Sequence, residues 1–544
     1  MSARPWTHFY GGDIAAEVDA DAYPSLVHLM DAAIDRYRDR TALRSAGNAL
    51  TYADVDRLSR AFAAFLQSQI GIEKGDRVAV MMPNLLAFPI ALLGILRAGA
   101  VAVTVNPLYT PRELQQQLDD SGAATIVLFN GSTPILAEVI GKTGVKTIVT
   151  AAVGDGGSNA VPSPPVDPRL ETTTSFATAL AQGATLPFTP VDLNGDDLAL
   201  LQYTGGTTGQ AKGAALAHRG LVANTEQFKA MIPLMDGEEV AVTALPLYHV
   251  MGLLVCFVTG FSVGAENWLV ANPRDMDRFV ETLKQARPTL FMGVNTMFAG
   301  LAAHPRIGEV DWTRLRLSGG GGAAVNRATS ERWQQITGTF IREGYGLSET
   351  GTVVSVNPKS IGEFTGTTGV PLPSTDVKVI DDDDREVAQG VAGEICVKGP
   401  QVMRGYWNKP EANAAAFTRD GYFRTGDIGL FDPRGLLKIV DRKKDMVLVS
   451  GFNVYPNEVE EVVSGLEGVA ECACVGVPDD KCGEAVKLFV VRSPGAALTS
   501  ESVVAHCRKE LASYKVPRFV QFIDALPKTP VGKVLRRELR DRVP

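Results

Sequence analysis

Asp76 to Phe129 reads DRVAVMMPNLLAFPIALLGILRAGAVAVTVNPLYTPRELQQQLDDSGAATIVLF, and its alternation of short and long apolar runs decides the fold. Asp76 to Met82 is apolar and of strand length, and Pro83-Asn84 ends it. Leu85 to Ala98 has the length of a helix, with Pro89 tolerated only near its start and Gly99 as its stop. Val101 to Val105 is a second strand. Thr110 to Glu113 (TPRE) is a capping box with proline at the first helical position, and Gly122 closes that helix. Thr125 to Phe129 is a third strand. Strands this uniformly apolar belong to a parallel sheet covered on both faces; one wet face would impose a polar–apolar alternation. Upstream, Ser25 opens an amphipathic helix with Leu26, Leu29, Met30, Ala33 and Tyr37 on one side.

Working outward, the chain is too long for one core. It has 544 residues, and single cores stop growing at roughly 250–300. Gly154 to Pro168 (GDGGSNAVPSPPVDP) reads as a mobile surface linker. A second boundary is expected near Arg442-Lys443-Lys444-Asp445. Beyond it lie strands at Ala470–Val477 and Ala485–Val491 and a helix at Ser500–Leu511, enough for a small domain. The expected units are 1–441 and 442–544. No fixed-period repeat is visible.

Hydrophobic residues make up 45% and charged residues 21% of the chain, as in an ordinary globular protein. The net charge of -8 and pI of about 5.5 argue against a nucleic-acid partner, which needs a basic footprint. Six cysteines, at 256, 396, 472, 474, 482 and 507, lack CxxC or zinc-knuckle spacing and read as reduced thiols of a cytoplasmic protein. Met1 to Val18 lacks an apolar core and is not expected to be a signal peptide. Val250 to Ala265 is uncharged but shorter than the roughly 20 residues a membrane span needs, so a buried helix is expected. Peripheral contact with the inner face of a membrane stays open.

The chemistry starts at Tyr203 to Gly213, YTGGTTGQAKG. Glycines let backbone N–H groups approach an anion, and hydroxyls with one ammonium complete a phosphate cradle. The loop follows an expected strand, Leu198 to Tyr203. It is not a Walker A loop, because Lys212 follows Ala211 and precedes Gly213. The bland alternative is a flexible turn.

This loop resembles the phosphate loop of the adenylate-forming superfamily: acyl-CoA synthetases, peptide-synthetase adenylation domains and beetle luciferases. Further blocks occur in the same order: LPLYH (245–249), SGGGGAA (318–324), GYGLSET (344–350), YFRTGDI (422–428), DRKKD (441–445), GFNVYPNE (451–458) and PKTPVGK (527–533). The fragments MMPNLL, NPLYTPREL, LQYTGGTTG, SVNP, CVKGPQVM, DRKKDM and SGFNVYPNE resemble the bacterial long-chain fatty-acyl-CoA synthetases. The superfamily loop usually has serine where this chain has Gly205, and glycine there resembles that subgroup.

The resemblance implies an α/β fold: a large N-terminal multi-layer domain with a β-barrel-like portion, plus a small mobile α+β C-terminal domain. It implies ATP and Mg²⁺ with coenzyme A as co-substrate, and a fatty acid or other carboxylic acid as partner. ATP or AMP would be bound by Thr204, Gly205, Gly206, Thr207, Thr208, Gly209 and Lys212. Gly320, Gly321 and Gly322 would let backbone lie against the nucleotide. Tyr345, between Gly344 and Gly346, would stack on adenine, with Thr350 nearby. Asp427 would grip the ribose, and Arg442 and Lys444 would also bind the nucleotide. Glu349 would hold Mg²⁺, a hard ion suited to carboxylate oxygen; the bland alternative is a carboxylate at a helix start. Asp427 has its own alternative as a turn aspartate in Thr-Gly-Asp. His249, expected after an apolar strand, would be a catalytic residue that lines the carboxylate pocket and helps shift it between half-reactions, with a packed core histidine as the bland alternative, whereas His218 is expected simply to pack at a helix start.

Lys533 is the implied catalytic lysine. Driving a carboxylate into an α-phosphate brings two anions together, and a fixed ammonium relieves the charge growing in the transition state. Lys444 would be the hinge for rotation of the C-terminal domain. Gly451 and Phe452 would face CoA. The implied reaction makes an acyl-adenylate and pyrophosphate, then an acyl-CoA and AMP. Rivals are a ligase for aryl, short- or medium-chain or dicarboxylic acids, an enzyme handing its adenylate to a carrier protein, and a non-catalytic lipid- or nucleotide-binding protein. A homodimer stays open.

Overall fold

The computed structural model describes residues 4, 6–159, 161–204, 211–450, 452–479, 482–529 and 534–540. The quoted stretch folds as its pattern dictates. Arg77–Met81, Val101–Thr104 and Thr125–Phe129 are parallel strands. Between them run helices Ala87–Arg97 and Pro111–Ser121. Thr110 and Glu113 form the reciprocal capping box, and Gly122 ends the second helix in the left-handed region. These strands lie within a seven-stranded sheet that runs from Thr174–Ser175 at one edge to Lys212–Ala217 at the other. Its pairs are parallel apart from the last, where Leu198–Thr204 meets Lys212–Ala217 antiparallel. Both faces are covered: Val78 and Val80 join one apolar cluster, while Ala79 and Met81 join another.

A second, nine-stranded sheet packs beside it. Helices Leu26–Tyr37, Tyr52–Phe65 and Ala87–Arg97 supply side chains to the core shared by the two sheets. Every residue of Ala87–Arg97 is buried, which is why its sequence shows no polar face. The second sheet ends, in spatial order, with Leu290–Gly293, Leu317–Gly320, Ile341–Tyr345, Ser355–Val356 and Val370–Pro371.

The barrel-like portion is an open antiparallel sheet of four strands: Asp376–Ile380, Gly393–Lys398, Phe423–Phe431 and Leu437–Arg442. It does not close on itself among the described residues. After Arg442 a smaller five-stranded sheet begins with Val447–Val449 and is built round the long hairpin Val469–Asp479 and Gly483–Arg492. Helix Ser500–Glu510 packs with it. The chain thus has a large α/β domain and a small α+β one.

Two expectations gain detail. Gly154 to Pro168 has no helix or strand among its described residues, and hydrogen bonds tie it to the rest of the large domain. The Asn159 backbone N–H donates to Asn48 Oδ1 (2.7 Å), Asn130 Nδ2 donates to the Pro164 carbonyl (3.2 Å), and the Asp167 N–H donates to Thr133 Oγ1 (2.9 Å). Glycine and proline content marks a turn-rich path, and its anchors lie far away in the sequence. The apolar stretch after His249 is a buried helix, as expected, but Met251–Val258 is wound as a π-helix before an α-turn at Thr259–Ser262. Such wide turns concentrate at functional sites.

Candidate active site

Strand Ile341–Tyr345 organises the site. Period-two alternation puts Glu343 and Tyr345 on one face, and the strand pairs with Leu317–Gly320 through Gly320 opposite Glu343. Just beyond Tyr345, Gly346 is obligatory, because a Cβ there would sit 1.5 Å from the Thr352 carbonyl oxygen. That close return lets Val354 N–H donate to the Tyr345 carbonyl (2.8 Å) and shapes the turn Ser348–Thr350. Gly322 has φ +76°, a left-handed conformation natural to glycine. It follows Gly320 and Gly321, where the Met251 side chain packs against the backbone.

Tyr345, Asp427 and Arg442 meet. The Tyr345 hydroxyl donates to Asp427 Oδ2 (2.7 Å), and Arg442 Nε lies 3.4 Å from Asp427 Oδ1. Asp427 is not a turn residue. It lies in strand Phe423–Phe431, directly opposite Arg442 on Leu437–Arg442. Gly426, at φ +69°, lets the Thr-Gly-Asp segment kink without leaving the strand.

Glu349 stands on the Ser348–Thr350 turn, buried, with Oε1 accepting from the Tyr406 hydroxyl (2.9 Å). Burial raises its pKa, partly offset by hydrogen bonds and by Arg442. It makes no ion pair among the described residues. A buried carboxylate without a cationic partner is a donor suited to a hard cation, so the residues present fit Mg²⁺. The Thr350 hydroxyl both accepts from Leu347 N–H (3.1 Å) and donates to its carbonyl (3.0 Å), bracing this turn.

Thr204 and Lys212 face each other at the ends of the antiparallel pair that carries the glycine loop. Gly205, Gly206, Thr207, Thr208 and Gly209 lie outside the described residues. The Lys212 ammonium lies 5.1 Å from the centroid of the Tyr406 ring. Tyr406 therefore touches two expected site residues, Glu349 and Lys212, and sequence reading missed it. The chain at 404–407 zips onto Lys212–Ala217: Ala215 N–H donates to the Gly405 carbonyl (2.9 Å) and Trp407 N–H to that of Gly213 (2.8 Å). Its signal was Gly405-Tyr406, just after the CVKGPQVM fragment. In strand Leu198–Thr204, the Tyr203 hydroxyl donates to Asp120 Oδ2 (2.7 Å), and Lys409 also pairs with Asp120.

His249 does not follow directly on a strand; Val240–Thr243 ends earlier, and the ring sits on the turn opening the π-helix. Its Nδ1 accepts from Met251 N–H (3.3 Å). The adjoining Val250 carbonyl accepts from Thr352 Oγ1 (3.2 Å), joining this turn to the one bearing Glu349. His218 behaves as a packed residue at the start of helix His218–Met231. It accepts from Leu26 N–H, and burial pushes it down to about 4.

Glu343, also missed, is buried beside Gly320, and burial pushes its carboxyl up to about 8. Its Oε1 accepts from Val325 N–H (3.2 Å), whereas Oε2 has no partner among the described residues. Lys444 reaches solvent, yet the protein packed round it, with Arg442 and then Arg540 nearby, pushes its ammonium down to about 8. Phe452 is exposed and stacked on Tyr514, ring centroids 4.9 Å apart. Gly451 and Lys533 lie outside the described residues. No helix among the described residues is long and apolar enough to cross a membrane.

This arrangement has relatives. The AMP-binding enzyme family matches residues 30–407, and the AMP-binding enzyme C-terminal domain matches residues 458–533. The chain is 48% identical over 555 aligned residues to a long-chain-fatty-acid–CoA ligase of Salmonella typhimurium, covering 99% of this chain and 98% of that one. ATP-bound MatB from Rhodopseudomonas palustris is 31% identical with a TM-score of 0.82, covering 95% and 98% of the two chains. The anthranilate CoA ligase AuaEII, solved with anthranoyl-AMP, shares the fold at a TM-score of 0.87 and 23% identity, covering 96% and 98%. The chain belongs to the AMP-binding enzyme family.

Proposed function

We propose that this protein is a long-chain fatty-acid–CoA ligase. The observation that carries the reading is the near-complete, 48% identical match to a ligase of that name, supported by the convergence of Tyr345, Asp427, Arg442 and Glu349 beside a glycine-rich strand. A fatty-acid carboxylate oxygen attacks the α-phosphorus of ATP, the α–β bridge breaks, and pyrophosphate leaves. The sulfur of CoA then attacks the acyl carbonyl, the thiol proton is lost to solvent, and AMP departs.

Each residue has a physical task. The Tyr345 ring packs on adenine while its hydroxyl fixes Asp427, and Asp427 accepts from the ribose hydroxyls. Thr204, Lys212 and the intervening glycines and threonines hold the phosphates. Glu349 would hold Mg²⁺, which neutralises phosphate charge when bound. Lys533 sets an ammonium beside both reacting anions, stabilising charge that grows only as they join. His249 and the π-helix after it border the acid pocket; an apolar wall such as Leu253, Leu254 and Phe257 suits an acyl chain. We place the division between units at 441/442, with the C-terminal unit turning about Lys444 so that Gly451 and Phe452 approach CoA in the second step.

The test is a panel of acids of graded length, with aryl and dicarboxylic acids beside them, incubated with ATP, Mg²⁺ and CoA. Thioester, AMP and pyrophosphate should form in equal amounts, most efficiently with long chains. A kcat/KM highest for benzoate-like or short dicarboxylic acids would reassign the substrate. Flotation with anionic vesicles and sedimentation would decide whether the protein touches membranes or pairs with itself.

A further inference from the structure

The acids on either side of Lys444 are joined through one arginine. Asp441, at the end of the four-stranded sheet, is 1% exposed. Its Oδ2 accepts from the Asn457 backbone N–H (2.8 Å), and the Asn457 side chain donates in turn to the Val440 carbonyl (3.0 Å). Asn457 lies in helix Pro456–Ser464 of the C-terminal domain. Arg536, on the last described helix Arg536–Arg540, reaches both. Its Nη2 donates to Asn457 Oδ1 (2.7 Å) and to both Glu460 carboxylate oxygens (2.8 Å each), and its Nη1 lies 3.5 Å from Asp441 Oδ1 and 3.6 Å from Asp445 Oδ2. Arg540 adds a bond to Asp445 Oδ1 (2.9 Å).

These contacts divide into two classes. Asp445, Glu460, Asn457, Arg536 and Arg540 all follow Lys444 and travel together if the C-terminal domain turns about it. Asp441 and the Val440 carbonyl precede Lys444 and stay behind. The bonds from Asn457 and Arg536 to residues 440 and 441 therefore belong to this orientation alone. Without them Asp441 keeps only the Arg442 backbone N–H (2.7 Å) among these partners, and a carboxylate this buried must then gain water or new ones. Arg536 also lies three residues along the chain from Lys533, so chain connectivity ties these contacts to the proposed catalytic lysine.

We propose that Asp441, Asn457 and Arg536 form a latch that holds the C-terminal domain in this orientation, with Arg536 a positioning residue that bridges Asn457 and Asp441 across the hinge. The proposal rests on the two-step reading above, in which that domain turns. Opening the latch is then part of each turnover, and weakening it shifts the balance between the two half-reactions.

The experiment uses the full chain labelled with one fluorophore on each domain, comparing the parent with Asn457→Ala and Arg536→Lys. Asn457→Ala removes the bonds to Val440 and Arg536 near a helix start that tolerates alanine. Arg536→Lys keeps the charge but loses the fork that serves several partners. The latch predicts a broader, longer distance distribution without substrate in both variants, at a Tm within a few degrees of the parent. It also predicts at least a 10-fold change in the ratio of acid-dependent ATP–pyrophosphate exchange to thiolysis of preformed acyl-adenylate. Distance distributions identical to the parent's, or both half-reactions slowed by the same factor, overturn it. Because distances are read without catalysis, that failure is distinct from failure of the enzymatic reading, which would show as a parent protein without exchange.

Discussion

The end of the large domain that we propose holds the nucleotide and the face of the small domain beside the proposed hinge are held by different means. In the first, backbone does the positioning. Asp427 faces Arg442 because two strands pair in that register, and Tyr406 meets Glu349 because residues 404–407 zip onto a sheet edge. In the second, side chains do it: the Arg536–Asp441 ion pair and the bonds of Asn457 to Asp441 and the Val440 carbonyl join the small domain to its neighbour. Strand register cannot be exchanged without unfolding, whereas ion pairs and side-chain hydrogen bonds can be remade elsewhere. A fixed cradle and a separable partner suit two reactions that share one nucleotide site.

The contrast can be broken by substitutions that act on one side only. The largest effect is expected from Lys533→Ala. Acid-dependent ATP–pyrophosphate exchange should fall by about 10³-fold or more, in the range seen when a transition-state charge partner is lost. Thiolysis of preformed adenylate should stay within a few-fold, and comparable losses in both steps would remove the separation of roles. Next comes Lys444→Pro. Fixing one φ at the proposed hinge should slow thioester formation roughly 10²-fold while adenylation falls less than about fivefold. Single-turnover measurements of each step would show it, and equal slowing would count against a hinge there.

On the fixed side, Tyr406→Phe removes the hydroxyl from Glu349 but keeps the ring beside Lys212. A lost hydrogen bond to a charged group is worth about 1.5–3 kcal/mol. The Mg²⁺ concentration that half-saturates ATP binding should therefore rise roughly tenfold, read by calorimetry as well as by rate. An unchanged Mg²⁺ requirement would leave Tyr406 as packing alone.

Glu343→Gln tests the cradle's stability. The folded carboxyl titrates at about 8, well above an unfolded glutamate near 4.3. Unfolding therefore releases a proton between those values, and stability contributed by the neutral form is lost as pH rises through that window. Glutamine cannot release it. The variant should gain on the parent protein by on the order of a few kcal/mol at pH 8, and the gap should close below pH 5. Denaturant midpoints at the two pH values measure this, and a pH-independent gap would contradict it.

Most of the large domain was legible because its strands and helices carry their own punctuation. Thr110, Pro111 and Glu113 announce a helix start, and Gly122 its end, without reference to anything distant. What was not legible depends on groups far apart in the chain. The anchoring of the 154–168 segment by Asn48 and Thr133 has no local signal. Asp427 reads as a turn residue until its strand partner is known. Tyr406 stands 57 positions from Glu349, and no local spacing connects them. The latch is hidden for the same reason, with Arg536 separated by 95 positions from Asp441.

Isotope exchange between labelled pyrophosphate and ATP, run with a long-chain fatty acid and without CoA, tests the central claim most directly. The account predicts exchange that requires the acid and Mg²⁺ and does not require CoA. No exchange with any fatty acid, or hydrolysis of ATP to ADP and phosphate in its place, would contradict it.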